Sequence, residues 1–193
     1  MQFADEPGAT PIDPDEAAGL IPDWLATKSQ LNRLEAENIA AAAAWASSGR
    51  ADILRSHYVR ELHKRMFGEV WAWAGTFRGA DKNIGIPWER VPTALEDLLR
   101  NTDYQITHNV FGADELAARF HHRLVFIHCF PNGNGRHARL MTEILLTKRL
   151  GRESFTWGEA SGGDKKHVRD TYIAALRAAD GGDFGALLAF VRT

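Results

Sequence analysis

The residues whose types and spacing could do chemistry are concentrated between His128 and Arg139, in the sequence HCFPNGNGRHAR. The pattern predicts that a helix ends before Pro131, that a glycine-rich loop follows, and that a second helix begins at once. Backbone N–H groups of such a loop, placed at a helix N-terminus, form a binding site for an anion. Arg136 and Arg139 are three residues apart on the second helix, so both can reach phosphate oxygens from one face.

A histidine at the end of the first helix adds a base to this anion site. His128 faces the same loop, and an imidazole has a suitable pKa for accepting a proton near neutral pH. The residues therefore predict a polyphosphate site with a general base at its mouth. An ordinary P-loop does not fit, because that motif needs a lysine followed by Ser or Thr after a strand.

Three other chemistries are less favoured by the spacing. His121 and His122 are adjacent, so they point to different faces of a helix, and no H-E-x-x-H pattern accompanies them to predict zinc. Cys129 is the sequence neighbour of His128, and neighbours on a helix do not face each other, which favours a buried thiol over a nucleophile. Packing is also a better interpretation than base stacking for three tryptophans: Trp71, Trp73 and Trp88.

The elements that must position these residues are predicted to be helices. Apolar residues recur at helical spacing in seven segments, and Ser29, Asp52 and Asp114 are expected to cap three of the helices. Residues 71–92 lack that period and contain three glycines, which predicts a loop with a small β-hairpin, or flap. We therefore predict an all-α fold with one small β-hairpin flap over residues 79–87.

Composition limits the remaining function classes. The 193 residues, 45% hydrophobic and 25% charged, fit one globular domain. A net charge of −2 gives no excess of positive charge for holding a nucleic acid. The sequence has no apolar stretch near the ~20 residues of a membrane span, and its acidic, proline-bearing N-terminus lacks the features of a signal peptide. With a single cysteine, these features predict a cytoplasmic protein with neither membrane nor nucleic-acid partners.

At His128–Arg139 the sequence resembles the signature of the Fic family (Fic/Doc superfamily), H-x-F-x-[D/E]-G-N-G-R-x-x-R. WAGTFR at 73–78 is similar to the segment before the family's flap, and YIAAL at 172–176 is similar to its closing helices. The N-terminal GLIPDWLATKSQLNRLEAENI also resembles the Fic subgroup called mobile mystery protein B. The resemblance implies a Fic-type helical bundle over residues 51–193, preceded by an extended arm over 1–28 and an N-terminal helix over 29–50.

The resemblance also implies an activity and a set of roles. Fic enzymes transfer AMP from ATP to a Ser, Thr or Tyr hydroxyl of a target protein, with Mg²⁺ or Mn²⁺, and their flap binds the target backbone by strand addition. The implied catalytic residues are His128 as general base, with Asn134 and Arg136. Phe130 anchors the loop, and the implied nucleotide-binding residues are Gly133, Asn134, Gly135, Arg136 and Arg139.

One position departs from the family pattern. Asn132 occupies the place where active members usually carry Asp or Glu as the Mg²⁺ ligand. An amide oxygen lacks the negative charge that Mg²⁺ selects, so we expect weaker metal binding and slower or altered chemistry. Other Fic proteins transfer phosphate, UMP or phosphocholine, so the transferred group is left open.

An inhibitory glutamate is the second open point. Many Fic proteins carry [ST]-x-x-x-E-[GN], whose glutamate pairs with the second arginine of the motif. Glu37 and Asn38 supply E-N here, but Arg33 stands where Ser or Thr is expected, and Glu35 is a second candidate. Either glutamate could meet Arg139. The alternative is a solvated acidic helix face that pairs with Arg33 or water.

Two function classes therefore stay open after the sequence alone. The first is a Fic-type nucleotidyltransferase that modifies a protein. The second is a weakly active or inactive nucleotide-binding regulatory module, such as a toxin–antitoxin-like or mobile-element component. A homodimer and an antitoxin-like partner are both compatible with the sequence.

Overall fold

The protein is described by a computed structural model for residues 17–159 and 164–193. These residues form seven α-helices, which confirms the predicted all-α class. None of these helices combines the length and the apolar character needed to cross a membrane. The helices are α1 Lys28–Ser48, α2 Ser56–Phe67, α3 Val91–Thr107, α4 Ala113–Ile127, α5 Asn134–Arg149, α6 Lys165–Asp180 and α7 Gly185–Val191, with a 3₁₀ turn at Trp88–Arg90 before α3.

The helix starts differ from the predicted caps. Thr27, not Ser29, caps α1, because its hydroxyl accepts from the Gln30 N–H while the Gln30 side chain accepts from the Thr27 N–H. This reciprocal pair is a capping box, which satisfies two N–H groups at once. Asp52 lies before α2 and accepts from Leu54 N–H instead of capping the helix. Asp114 lies in the first turn of α4, which begins after Gly112.

Two apolar clusters hold the helices together. The larger contains buried residues from α1 to α5, and its centre includes Phe120, Ile127 and Met141. The smaller joins α6 and α7 to α4 and α5 through Trp157 and Phe190. Since α4 and α5 contribute to both clusters, they join the two groups of helices, and the loop between them contributes Cys129 and Phe130 to the larger cluster.

The predicted flap hairpin is wrong. Residues 79–87 contain bends but no strand. The buried Arg78 side chain donates to the carbonyls of Ala80 and Ile86, which a hairpin would pair with its own N–H groups. Among the residues that the structure describes, the β pairing is a single bridge between Leu20 and Trp71.

The segment before α1 is attached to the rest of the molecule. Ile21 donates to the Val70 carbonyl at 2.8 Å, and Ala72 donates to the Gly19 carbonyl at 2.8 Å. The part of the predicted arm before residue 17 lies outside the described residues. The domain boundaries drawn from the sequence stay a prediction.

Candidate active site

His128 lies at the C-terminal end of α4 in a left-handed backbone conformation, with φ 55° and ψ 63°. Burial, followed by the positive charges of Arg78 and Lys82, lowers the pKa of its imidazole to about 4. The Val125 carbonyl opposes that shift. The ring is therefore neutral at pH 7, which is the state that can accept a proton.

Arg78 ties the flap segment to the end of α4. Its side chain is 1% exposed, and its Nε donates to the His128 carbonyl at 2.6 Å. The same guanidinium donates to the carbonyls of Ala80, Ile86 and Ile127. These acceptors satisfy a cation that would otherwise be costly to bury. The sequence pointed to this segment through the family resemblance, but it did not predict this role for Arg78.

The flap also approaches His128 directly. Gly85 has φ 103°, and a Cβ atom added there would lie 2.7 Å from the Cβ of His128. A side chain at this position would therefore require the flap or the histidine to move. The close approach places residues 79–87 beside the candidate base.

The side chain of Asn134 closes the loop between α4 and α5. Its Oδ1 accepts from the Phe130 N–H at 2.9 Å, and its Nδ2 donates to the Phe130 carbonyl at 2.7 Å. Both halves of this buried amide are thus used within the loop. Gly133 caps the N-terminus of α5 with φ 78°, and a Cβ there would lie 2.6 Å from the Phe67 ring. Only glycine meets both conditions.

The sequence placed the anion site at the N-terminus of α5. No side chain caps this helix end. The N–H groups of Asn134, Gly135 and Arg136 have no acceptor within the helix, because they belong to its first turn. Their partial positive charge favours an anion. The Gly133 N–H, which the sequence assigned to the same site, donates at 2.6 Å to the Asn132 side chain.

The candidate metal ligand Asn132 is exposed to solvent. Its Oδ1 is engaged by the Gly133 N–H, and its backbone carbonyl lies 3.0 Å from Nε2 of His63. Within residues 17–159 and 164–193, no group of three or more His, Cys, Asp or Glu side chains could hold a metal. A neutral amide already in use is a poor fit to Mg²⁺, which prefers carboxylates.

The two motif arginines diverge to different neighbours. Arg136 donates from Nη1 to Glu35 Oε2 at 2.6 Å. Arg139 instead lies over aromatic rings of the smaller apolar cluster, at 5.4 Å from Trp157 and 4.9 Å from Tyr172. Of the alternatives that the sequence left open, a contact between a glutamate of α1 and Arg139 is therefore not the one found among the described residues.

Glu35 is the glutamate that reaches the motif. It is 5% exposed, and its second oxygen accepts from the Trp71 indole N–H at 2.7 Å. Glu37 points away and pairs with Arg33 at 3.1 Å, where both side chains are mostly exposed. The alternative of a solvated acidic helix face that pairs with Arg33 thus applies to Glu37 and not to Glu35. No sequence pattern indicated Trp71 as the partner of Glu35.

Three of the remaining histidines bond to three different partners, and Cys129 is a buried free thiol. His121 contacts the Tyr172 hydroxyl, His122 contacts Asp180 and His137 contacts the Val59 carbonyl. Burial raises the pKa of the Cys129 thiol to about 12, so it is protonated at neutral pH and is not a nucleophile.

A helical bundle with this loop between two central helices defines the class of the protein. Residues 53–146 match the model of the Fic/DOC family. The chain therefore carries a Fic/DOC domain over these residues.

Named relatives agree with this assignment. The chain is 34% identical over 99 residues to "Protein adenylyltransferase Fic" of Nematostella vectensis, covering 46% of this chain and 22% of the relative. It is 27% identical over 144 residues to the protein of the same name of Aedes aegypti, covering 72% and 27% of the two chains. The chain thus spans about a quarter of the length of these curated relatives.

Solved structures share the fold. Fic-1 (residues 134–508) of C. elegans has a TM-score of 0.69 and 25% identity, over 92% of this chain and 51% of that one. The BepC protein of Bartonella tribocorum, solved with bound AMPPNP, has a TM-score of 0.64 and 15% identity, over 87% of both chains. The second likeness concerns the fold alone.

Proposed function

We propose that this protein transfers AMP from ATP to a side-chain hydroxyl of a target protein. The target oxygen attacks the α-phosphorus, the bond from that phosphorus to the β-bridging oxygen breaks, and pyrophosphate leaves. The observation that carries the proposal is the juxtaposition, across one short loop, of a neutral His128 and an uncapped N-terminus of α5 that carries Arg136 in its first turn. The family and the relatives named adenylyltransferases support the same reaction.

His128 acts in this proposal as the general base. Its neutral imidazole accepts the proton of the target hydroxyl as the new P–O bond forms. Arg78 supports this role by bonding the His128 carbonyl, which limits movement at the end of α4. A base whose protonated form is disfavoured by burial returns that proton readily to the leaving group or to solvent.

The phosphate chain of ATP binds at the N-terminus of α5 in this proposal. The N–H groups of Asn134, Gly135 and Arg136 provide fixed dipoles, and Arg136 and Arg139 provide positive charge for the β- and γ-phosphates. These groups contribute mainly by positioning and by neutralising charge, as in phosphoryl transfer generally. Phe130 anchors the loop, since it is fully buried and bonded through its backbone to Asn134.

No step of the proposed transfer passes through a metal ion. Mg²⁺ neutralises phosphate charge in related chemistry, but Asn132 offers only a neutral oxygen that is bonded to the Gly133 N–H. We therefore assign the charge neutralisation in this chain to Arg136, Arg139 and the α5 N-terminus.

Glu35 acts in the proposal as an inhibitory residue. Its carboxylate occupies Arg136, one of the groups proposed to hold phosphate, and the Trp71 indole holds the carboxylate in place. Nucleotide binding in a productive pose then requires Arg136 to leave Glu35. Glu37 is excluded from this role because it bonds Arg33 on an exposed face.

A second candidate function is a nucleotide-binding regulatory module with little transfer activity. It is favoured by the same Glu35–Arg136 pair and by the engaged side chain of Asn132.

Several properties stay predictions: the donor, the target, an antitoxin-like partner or homodimer, and a cytoplasmic location. The flap over 79–87 is proposed to contact the target, because Gly85 lies against His128.

The test is incubation of the full chain with α-labelled ATP and either Mg²⁺ or Mn²⁺, alone and with a cell lysate. We expect label on the chain or on a lysate protein, and loss of that label in His128→Ala. His108→Ala is the matched control, because His108 also ends a helix but lies on the surface at the end of α3. Absence of label from wild type and from Glu35→Gly, with ATP still bound, would favour the regulatory module.

The same assay separates AMP transfer from transfer of another group. Labelled UTP, γ-labelled ATP and labelled CDP-choline are tested in parallel with α-labelled ATP. Label from one of these donors and none from α-labelled ATP would contradict the proposed donor. Label that survives His128→Ala would contradict the proposed base.

A further inference from the structure

A buried histidine outside the motif connects three parts of the site. His63 lies on α2 and is fully buried. Its Nδ1 accepts from the Gly75 N–H at 3.0 Å. Because a backbone N–H can only donate, Nδ1 carries no proton, and the ring proton is therefore on Nε2. Nε2 lies 3.0 Å from the Asn132 carbonyl, to which it donates.

The surroundings of His63 favour this neutral tautomer. Burial, and then the nearby His137, lower the pKa of the imidazole well below its usual value. A protonated ring would place a second donor against the Gly75 N–H, and that contact would be repulsive. The ring thus has one acceptor and one donor, and each has a single partner.

The Asn132 carbonyl is a sensitive point of the anion site. It belongs to the peptide that joins Asn132 to Gly133, the left-handed residue that begins α5. Rotation of this peptide would turn the Gly133 N–H and change the backbone angles at Asn132 and Gly133, on which the direction of the following helix start depends. The left-handed backbone of Gly133 is the conformation that starts the helix here, so the orientation of this peptide sets where the helix end points.

Side-chain packing holds His63 against the same loop. Its ring stacks on Phe130 with centroids 3.7 Å apart and an interplanar angle of 19°. The neighbouring Phe67 on α2 lies directly under Gly133. Helix α2 therefore supports the loop by packing as well as by the hydrogen bond. Through Gly75 the same ring also holds the segment that leads to Arg78 and the flap.

We propose that His63 is a positioning residue, which aims the N-terminal N–H groups of α5 at the phosphate chain by holding the Asn132 carbonyl. The inference rests on the proposed function for the identity of the ligand. It does not make His63 a catalytic residue, because the ring is bonded on both sides to backbone and reaches no reacting atom.

Two substitutions separate the hydrogen bonds of His63 from its packing. His63→Phe keeps a flat ring against Phe130 and removes both hydrogen bonds. His63→Gln loses the ring but keeps an acceptor for Gly75 and a donor for Asn132. Leu62→Val is the control for lost stability, because Leu62 is a fully buried apolar neighbour on the same helix.

The first measurement is the ATP dissociation constant of each full-length variant by calorimetry, well below its melting temperature. We expect His63→Phe to weaken ATP binding at least tenfold, His63→Gln to recover part of the loss, and Leu62→Val to bind as wild type does. Wild-type affinity in His63→Phe would overturn the inference. A loss in His63→Gln as large as that in His63→Phe would also overturn it, since packing alone would then explain the effect.

The second measurement needs no nucleotide and distinguishes this inference from the proposed function. Nitrogen-15 NMR of the wild-type chain is expected to show His63 with its proton on Nε2, and the opposite tautomer would overturn the inference even if His63→Phe failed to fold. The amide resonances of Gly133 and Gly135 are expected to shift in His63→Phe and to return towards wild type in His63→Gln. If wild type binds no ATP while these shifts appear, the ligand is wrong and the positioning role stands.

Discussion

The pair between Glu35 and Arg136 gives the sharpest prediction. Glu35→Gln is the smallest change that removes the negative charge. Its amide oxygen can still accept from the Trp71 indole, while its NH₂ group would face the Arg136 guanidinium, donor against donor. We therefore expect Arg136 to be released from α1 without loss of the contact that holds residue 35 in place.

The magnitude follows from the exposure of the two side chains. Two unit charges at about 4 Å attract by about 4 kcal/mol at an effective dielectric constant of about 20, whereas pairs at the surface contribute about 0–1 kcal/mol. The side chain of Glu35 is 6% exposed and that of Arg136 is 44% exposed, so this pair lies between those limits. We therefore expect the attraction between Glu35 and Arg136 to contribute about 1–2 kcal/mol, which corresponds to about a 5- to 30-fold change in an equilibrium constant.

The expected result is ATP binding about 5- to 30-fold tighter in Glu35→Gln than in wild type, because phosphate no longer competes with a carboxylate for Arg136. The assay is a calorimetric titration of ATP into both proteins, followed by labelling with α-labelled ATP. Glu37→Gln is the matched control, since Glu37 lies half a turn away and pairs only with the exposed Arg33 among described residues. Equal affinities in wild type and Glu35→Gln, or an equal gain in Glu37→Gln, would refute the reasoning.

Two further predictions concern the metal and pH. Asn132→Asp should raise Mg²⁺-dependent labelling several-fold, because it adds the negative charge that Mg²⁺ selects; no gain in labelling or in metal-dependent nucleotide binding would contradict the account of this position. Burial lowers the pKa of His137 from 6.5 to about 4, so the unfolded chain binds its proton more readily and stability falls as pH decreases from 6.5 towards 4. At pH 5 this proton binding lowers the free energy of unfolding by about 2 kcal/mol. His137→Gln should reduce the difference in unfolding free energy between pH 7 and pH 5 by that amount. If urea unfolding shows the same difference in both proteins, the role assigned to His137 is contradicted.

Local features of the fold could be predicted from the sequence. The turn between α4 and α5 depends on short-range properties, since Gly133 permits a left-handed conformation and Asn134 reaches back only four residues to Phe130. The N-cap of α1 could also have been predicted from the sequence, because Thr27 and Gln30 have the spacing of a capping box. The prediction of Ser29 as the cap was wrong. These features need no knowledge of how helices pack.

The flap could not be predicted in the same way. The missing helical period and the three glycines of residues 71–92 favoured a hairpin. The conformation depends instead on Arg78, whose guanidinium takes up carbonyls that strands would share. A buried arginine that bonds several carbonyls leaves no sequence pattern of its own.

The sequence by itself determined the all-α class, the family and the helix–loop–helix that carries His128 and the two arginines, because these depend on hydrophobic period, glycine conformation and one contiguous motif. Only the tertiary structure decided which groups meet that motif. Glu35 contacts Arg136 across 101 residues, and His63 contacts Asn132 across 69 residues. Such pairings depend on how α1 and α2 pack on α5. The hydrophobic pattern alone is compatible with many packings, and the detailed side-chain contacts of the folded chain favour one of them.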